Sequence, residues 1–475
     1  MNSAPRLRSL RDRFSQFYLR IPRTVRSVLP VLLIGVAIRL VLIPISLNTD
    51  LVTFAQTSAA MVYGQGPYSH PTVYPPFMIF YLNVVGRVTS VFTPPTAWFT
   101  TNSQLQGLFM VSSALAPTYE LNLTYVWVEK LSLVVFDVAA GFVIYHLALR
   151  TTGKPATAVW AFAAWFLNPL VILLSSVHGS YDVLPTFCVL AAFVLAFDRR
   201  PFFSGLAIAV GALIGVFPFL FVPMLGAISW KQAPPGKSLW AAGGVIGGVA
   251  VPVVAVVAVP GLLSEFVQSA LVGPSRAGGV YQGFGFWGFF SVPGIHSADQ
   301  WISAFGGTTT VIVGAGLAVA IAVIAAAVLL RAPRGEVTQP ARWLPWATLV
   351  SVGAFLIPQV VQPQYMIWCL PFLILLVPEG RRYLAIFLVV SVGPALYYFT
   401  LGGPLLNFLP LWYDFHVVPY QLYLSSINAW VQVQNVTFPL EFVPVSTAFV
   451  CLVVLLVLKL RAPADPAPTD GGPAG

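Results

Sequence analysis

The chain has 475 residues, of which 58% are hydrophobic and only 8% charged, against about 25% charged in an average soluble domain. That balance excludes a water-soluble globule and, with a mean hydropathy of +0.84, specifies a helical bundle dissolved in lipid. The net charge of +9 would suit a nucleic-acid partner, but its placement argues against one. Arg6, Arg8, Arg11, Arg13, Arg20, Arg23 and Arg26 precede the first apolar run, and most other basic residues end later runs, the positive-inside pattern of a multi-pass protein.

In chain order, residues 1–27 form a basic cytoplasmic segment and 28–461 a single membrane domain. The run 28–47 has full spanning length and no small-residue cleavage signal, so it reads as an anchor. Further apolar runs of spanning length lie at 124–149, 156–176, 180–197, 238–260, 307–330, 343–361, 364–378, 383–400 and 443–460. The stretch 202–229 has Gly215 and Pro218 near its middle and is expected to be two short helices. The expected fold is therefore all-α and polytopic, with twelve transmembrane helices.

Charge parity sets the topology. A crossing at 73–93 would invert every later basic loop, so that apolar segment is kept as a juxtamembrane helix within an outer loop, 48–123. Two more long outer loops follow, 261–306 and 401–442, and both termini are then cytoplasmic. Short cytoplasmic connections place the working surface on the periplasmic, extracellular or luminal face. The tail 462–475 is rich in Pro, Gly and Ala and expected to be disordered. Cys188, Cys369 and Cys451 lie in apolar runs without metal-ligand spacing and read as packing residues.

Charges inside spans are expensive unless paired. Arg39 in the first span and Asp137 in the second are expected to form a structural ion pair; Lys130 shares a helix face with Asp137.

Asp50, at the exit of the first span, is the first acidic residue on the outer side. It is followed by Gly64-Gln65-Gly66-Pro67-Tyr68 and by Tyr74-Pro75-Pro76, which opens an apolar helix. Asn168-Pro169 and His178-Gly179-Ser180-Tyr181-Asp182 come next, then Gln362-Pro363-Gln364-Tyr365 before Trp368 and Pro371. This ordered set resembles the GT-C superfamily of membrane glycosyltransferases, especially the polyprenyl-phosphate-mannose-dependent mannosyltransferases. The chain departs from that pattern at Phe217, before Pro218, where the family often has Lys, and at Gln362, which stands in place of His.

The resemblance implies inverting transfer of a sugar, mannose above all, from a polyprenyl-phosphate donor to a lipid or glycan acceptor, with Asp50 as general base. Arg276, Gln364, Tyr365 and His178 are then candidates for the donor phosphate, and Tyr74, Asp182 and His416 for substrate binding. Each has a plainer reading: a solvated cation for Arg276, a helix cap for His178 and for Asp182, an interfacial belt for Gln364 and Tyr365. No cofactor is expected, since no second carboxylate stands beside Asp50 for a divalent metal. The competing class is a lipid-linked-sugar flippase or other polytopic transporter, which would put its function in the mid-bilayer charges.

Overall fold

The computed structural model describes residues 23–46, 49–68, 74–101, 119–267, 282–283, 307–357, 360–400 and 443–460. Arg276, His416 and the 1–22 and 462–475 segments lie outside them.

The first helices are α1 (Arg23–Leu42), α2 (Thr49–Val62) and α3 (Pro76–Phe92), and α3 occupies the segment expected to be a juxtamembrane helix. The short pair β1 (Phe99–Thr101) and β2 (Tyr119–Leu121) leads into α4 (Leu123–Thr152). Asn122 caps α4 by accepting from the Thr124 amide, and Gly153 ends it at φ +65°, a left-handed turn that costs glycine nothing. Then come α5 (Pro155–Phe166), the single turn α6 (Pro169–Ile172) with a π-turn at Leu173–His178, and α7 (Val183–Phe197). Proline opens α3, α5 and α6 at the first turn, where its fixed φ suits a helix and its missing N–H is no loss.

The 202–229 stretch is two helices as expected, α8 (Pro201–Ala212) and α9 (Val222–Gln232), joined through a 3-10 turn at Phe217–Phe221. They are followed by α10 (Ser238–Val257), α11 (Leu262–Val267), α12 (Gly307–Arg331), α13 (Pro340–Gly353), α14 (Leu370–Leu376), α15 (Arg381–Thr400) and α16 (Val443–Leu460). The two-residue strands β3 (Gln282–Gly283) and β4 (Val360–Val361) pair in parallel.

Among the described residues, α4, α10, Ile312–Arg331 of α12, and α16 are each long and apolar enough to cross a bilayer. A fifth span forms if α5 and Pro169–His178, bent by 46°, are taken together. The twelve expected crossings are not matched one by one, because proline and glycine break several apolar runs into pieces of 10–17 residues. The protein is nonetheless a multi-pass helical membrane protein.

The bend between α5 and α6 is held by the buried ion pair. Arg39 Nη2 and Nε lie 3.1 Å from Asp137 Oδ2, both side chains being fully buried. Arg39 Nη1 donates to the Phe166 carbonyl at 2.8 Å, an acceptor at the end of α5, where a helix leaves carbonyls without intrahelical partners. The guanidinium also lies 4.1 Å from the centroid of the Phe166 ring. At the break itself Asn168 caps α6, its Oδ1 accepting from the Leu170 amide and its Nδ2 donating to Ser391 of α15.

Candidate functional site

His178 ends the π-turn and is followed by Gly179 at φ +78°. A Cβ at Gly179 would come within 2.6 Å of Leu51 Cδ2, so only glycine allows both the left-handed turn and the approach of α2. That approach makes the site: His178 Nε2 stands 3.2 Å from Asp50 Oδ2. The Asp50 side chain is 45% exposed and that of His178 11%, so the carboxylate is half-buried and the imidazole backs it. The Ser46 hydroxyl donates to the Ser176 carbonyl, and Lys130 Nζ donates to the Ser46 carbonyl at 2.6 Å. Lys130 therefore works as a buried tie between the end of the first span and the π-turn.

Asp182 comes next. It holds the N-cap position of α7, but its side chain makes no capping bond, and the cap reading is corrected accordingly. Its oxygens instead accept from Ser180 Oγ at 2.6 Å and from Trp368 Nε1 at 3.0 Å. Those bonds join the turn before α7 to the turn before α14. Trp368 stacks with Tyr365 at 4.4 Å and with Phe217 at 4.3 Å between ring centroids. Phe217 thus fills with an aromatic face the position where a lysine was the alternative. Tyr74 packs edge-on against Phe54 and Tyr181, with centroids 5.2 and 5.5 Å away, favourable geometries for ring quadrupoles.

Asp50, His178, Asp182, Tyr74 and Tyr365 therefore converge from segments up to some three hundred residues apart in sequence, with Gln364 beside Tyr365. Sequence reasoning missed Trp368 as a hydrogen-bond donor, and it missed Glu129. Glu129 is fully buried on α4, and neither of its carboxylate oxygens has a hydrogen-bond partner among the described residues. It lies directly beneath Gly179, 3.2 Å from where a Cβ would stand. The available signal was an acidic residue next to Lys130 within a span.

Burial pulls the Asp50 carboxyl up, but the hydrogen bond and charge of His178 outweigh it and leave its pKa below the usual carboxylate value. Burial and then the charge of Asp50 hold the Tyr74 phenol well above its usual value, so it stays a neutral hydrogen-bond donor. A folded-state pKa below the unfolded one means that the contact's stabilisation is complete above the unfolded value, about 4, and drains away as pH falls through the folded value. The melting-temperature difference between wild type and Asp50→Asn is expected to shrink as pH falls below about 4. Closure of that difference already near pH 6 would mean that the carboxyl is not held down.

Residues 105–269 match a family model described as the GPI transamidase subunit PIG-U. No curated protein matches the chain. The matched segment includes His178, Asp182, Asp137, Glu129 and the bent α5–α6 pair, whereas Asp50, Tyr74 and Tyr365 lie outside it.

The match overturns the reading as a mannosyltransferase or other GT-C glycosyltransferase, and with it the flippase alternative: the matched family is described as a transamidase subunit. It gives no support to a polyprenyl-phosphate sugar donor. The physical reason for the misreading is visible in the fold. Asn168-Pro169 is a capped helix start and Pro75-Pro76 another, punctuation that a bundle of broken membrane helices needs whatever its chemistry. Among the described residues no group of three or more His, Cys, Asp or Glu could hold a metal ion.

Proposed function

We propose that the chain is a multi-pass membrane subunit serving the attachment of GPI to protein, and that the cluster at Asp50 and His178 receives the polar head of the glycolipid. The observation that carries this reading is that the PIG-U match supplies His178 and Asp182, the two residues whose contacts draw α2 and the Trp368 turn together. A half-exposed carboxylate accepts hydroxyl hydrogens, and His178, Tyr74 and Gln364 add groups able to donate. Tyr365 and Trp368 offer flat apolar faces, the usual lining of a site that orients its ligand through a few polar groups. Asp50 is assigned binding here and no bond-making step. The proposal extends to topology: twelve crossings, both termini cytoplasmic and the site on the opposite face, a reading supported by the run of basic residues before α1 and at Arg150, Arg199, Arg200, Lys231 and Lys237.

Cells carrying Asp50→Asn or His178→Ala in place of the wild-type chain are expected to attach GPI to a reporter protein at least about tenfold less at equal chain level, the loss of one or two charge-assisted bonds. In nanodiscs, the same variants should lose binding of a fluorescent GPI relative to phosphatidylinositol, which lacks the glycan. Undiminished attachment in cells from which the chain has been deleted would overturn the proposal.

A further inference from the structure

α14 runs from Trp368, at the site, to a 3-10 turn that ends at Glu379, so Glu379 lies at the other end of the helix. There, between the start of α15 and the end of α16, is a cavity of about 540 Å³ lined by Glu379, Arg381, Arg382, Tyr383, Leu458 and Lys459. Glu379 and Lys459 are paired across it. The other two cations are not: Arg381 and Arg382 are exposed and make no hydrogen bond or ion pair among the described residues. The cavity therefore carries three cations against one carboxylate, and the single carboxylate is already engaged.

Its lower wall is apolar. Leu455 and Leu458 of α16 line it, and Leu458 is exposed. The two helices lie side by side, with Gly393 of α15 so close to Val445 of α16 that a Cβ would come within 2.5 Å of it. An occupant that satisfies both parts has a phosphate at the level of the arginines and hydrocarbon against Leu455 and Leu458.

We infer that this cavity is a headgroup site for an acidic phospholipid, with Arg381 and Arg382 holding the phosphate and Leu458 the first methylenes of an acyl chain. Arginine forks match phosphate oxygens in pairs, and basic pockets between membrane helices are where acidic headgroups bind. The site is independent of the Asp50 cluster and of the function assigned to it.

The test uses the full chain, extracted from nanodiscs of phosphatidylcholine with or without phosphatidylglycerol, with retained lipids counted by native mass spectrometry. Wild type is expected to keep phosphatidylglycerol in preference to phosphatidylcholine. Arg381→Ala with Arg382→Ala should lower that preference about thirtyfold, the worth of two surface cations, while melting in pure phosphatidylcholine stays unchanged. Glu379→Gln, which releases Lys459, should raise the preference, a gain that misfolding could not produce. Equal retention in the double-alanine variant, or displacement of the lipid by inorganic phosphate alone, would overturn the assignment.

Discussion

Arg39→Met is expected to lower the stability of the folded chain by about 3–5 kcal/mol, since it leaves the fully buried Asp137 without its partner. Asp137→Leu should cost a similar amount for the mirror reason. The double variant is expected to recover much of the loss, because two apolar side chains of similar volume remove both charges at once and the desolvation penalty goes with them. It should not recover all of it. The Phe166 carbonyl loses the donor it has in Arg39 Nη1, and a buried acceptor left without a bond costs about 1–3 kcal/mol. A double-mutant cycle read by thermal unfolding in detergent gives the coupling energy directly. Single variants that cost less than about 1 kcal/mol would show that the pair is not what holds the bend. The bend positions the π-turn and hence His178, so the double variant should also weaken the glycolipid binding proposed above more than its stability alone accounts for.

The second large effect is expected at the contact between α8 and α10. A Cβ on Gly248 would stand 2.0 Å from the Phe202 carbonyl oxygen, and one on Gly205 would stand 2.0 Å from that of Val245. In lipid there is no hydrophobic drive to bring helices together, so close backbone approach through small residues is what packs them. Gly248→Ala forces the two backbones apart and is expected to cost about 1–3 kcal/mol, the range for overpacking, with Gly248→Leu failing to fold. Gly247 is the control, since a Cβ there meets nothing within 4 Å. Gly247→Ala should stabilise by up to about 1 kcal/mol through helix propensity alone. Equal melting temperatures for the two alanine variants would refute the packing argument.

Much of the architecture was legible because its causes are local. Apolar length marked most of the helices, though not α2. Gly215 and Pro218 marked the break between α8 and α9, and the expense of charge in hydrocarbon was enough to pair Arg39 with Asp137 across 98 positions. Asp50, His178, Asp182, Tyr74 and Tyr365 could be picked out as polar residues beside membrane spans, whereas Glu129 and the donor role of Trp368 were not. The function was not legible. The short Pro-, Asn- and Gly-containing segments that suggested sugar transfer are helix starts and turns, and local backbone needs generate them without regard to chemistry.

By itself, then, the sequence determined that this is a helical, multi-pass membrane protein, that the 202–229 stretch breaks in two, and that Arg39 and Asp137 must find partners. Tertiary structure alone decided that Asp50 meets His178, that Asp182 turns away from its helix to Ser180 and Trp368, and that the Glu129 carboxylate lies beneath the site with no hydrogen-bond partner among the described residues. It alone placed Glu379 and Lys459 on either side of one cavity. The physical reason is range. Propensity, capping and hydropathy act over a few residues and are written in order along the chain. Which side chain of one span faces which side chain of another depends on how closely helices approach, and here that approach is set by glycines such as Gly179 and Gly248, whose role is defined by neighbours far away in sequence.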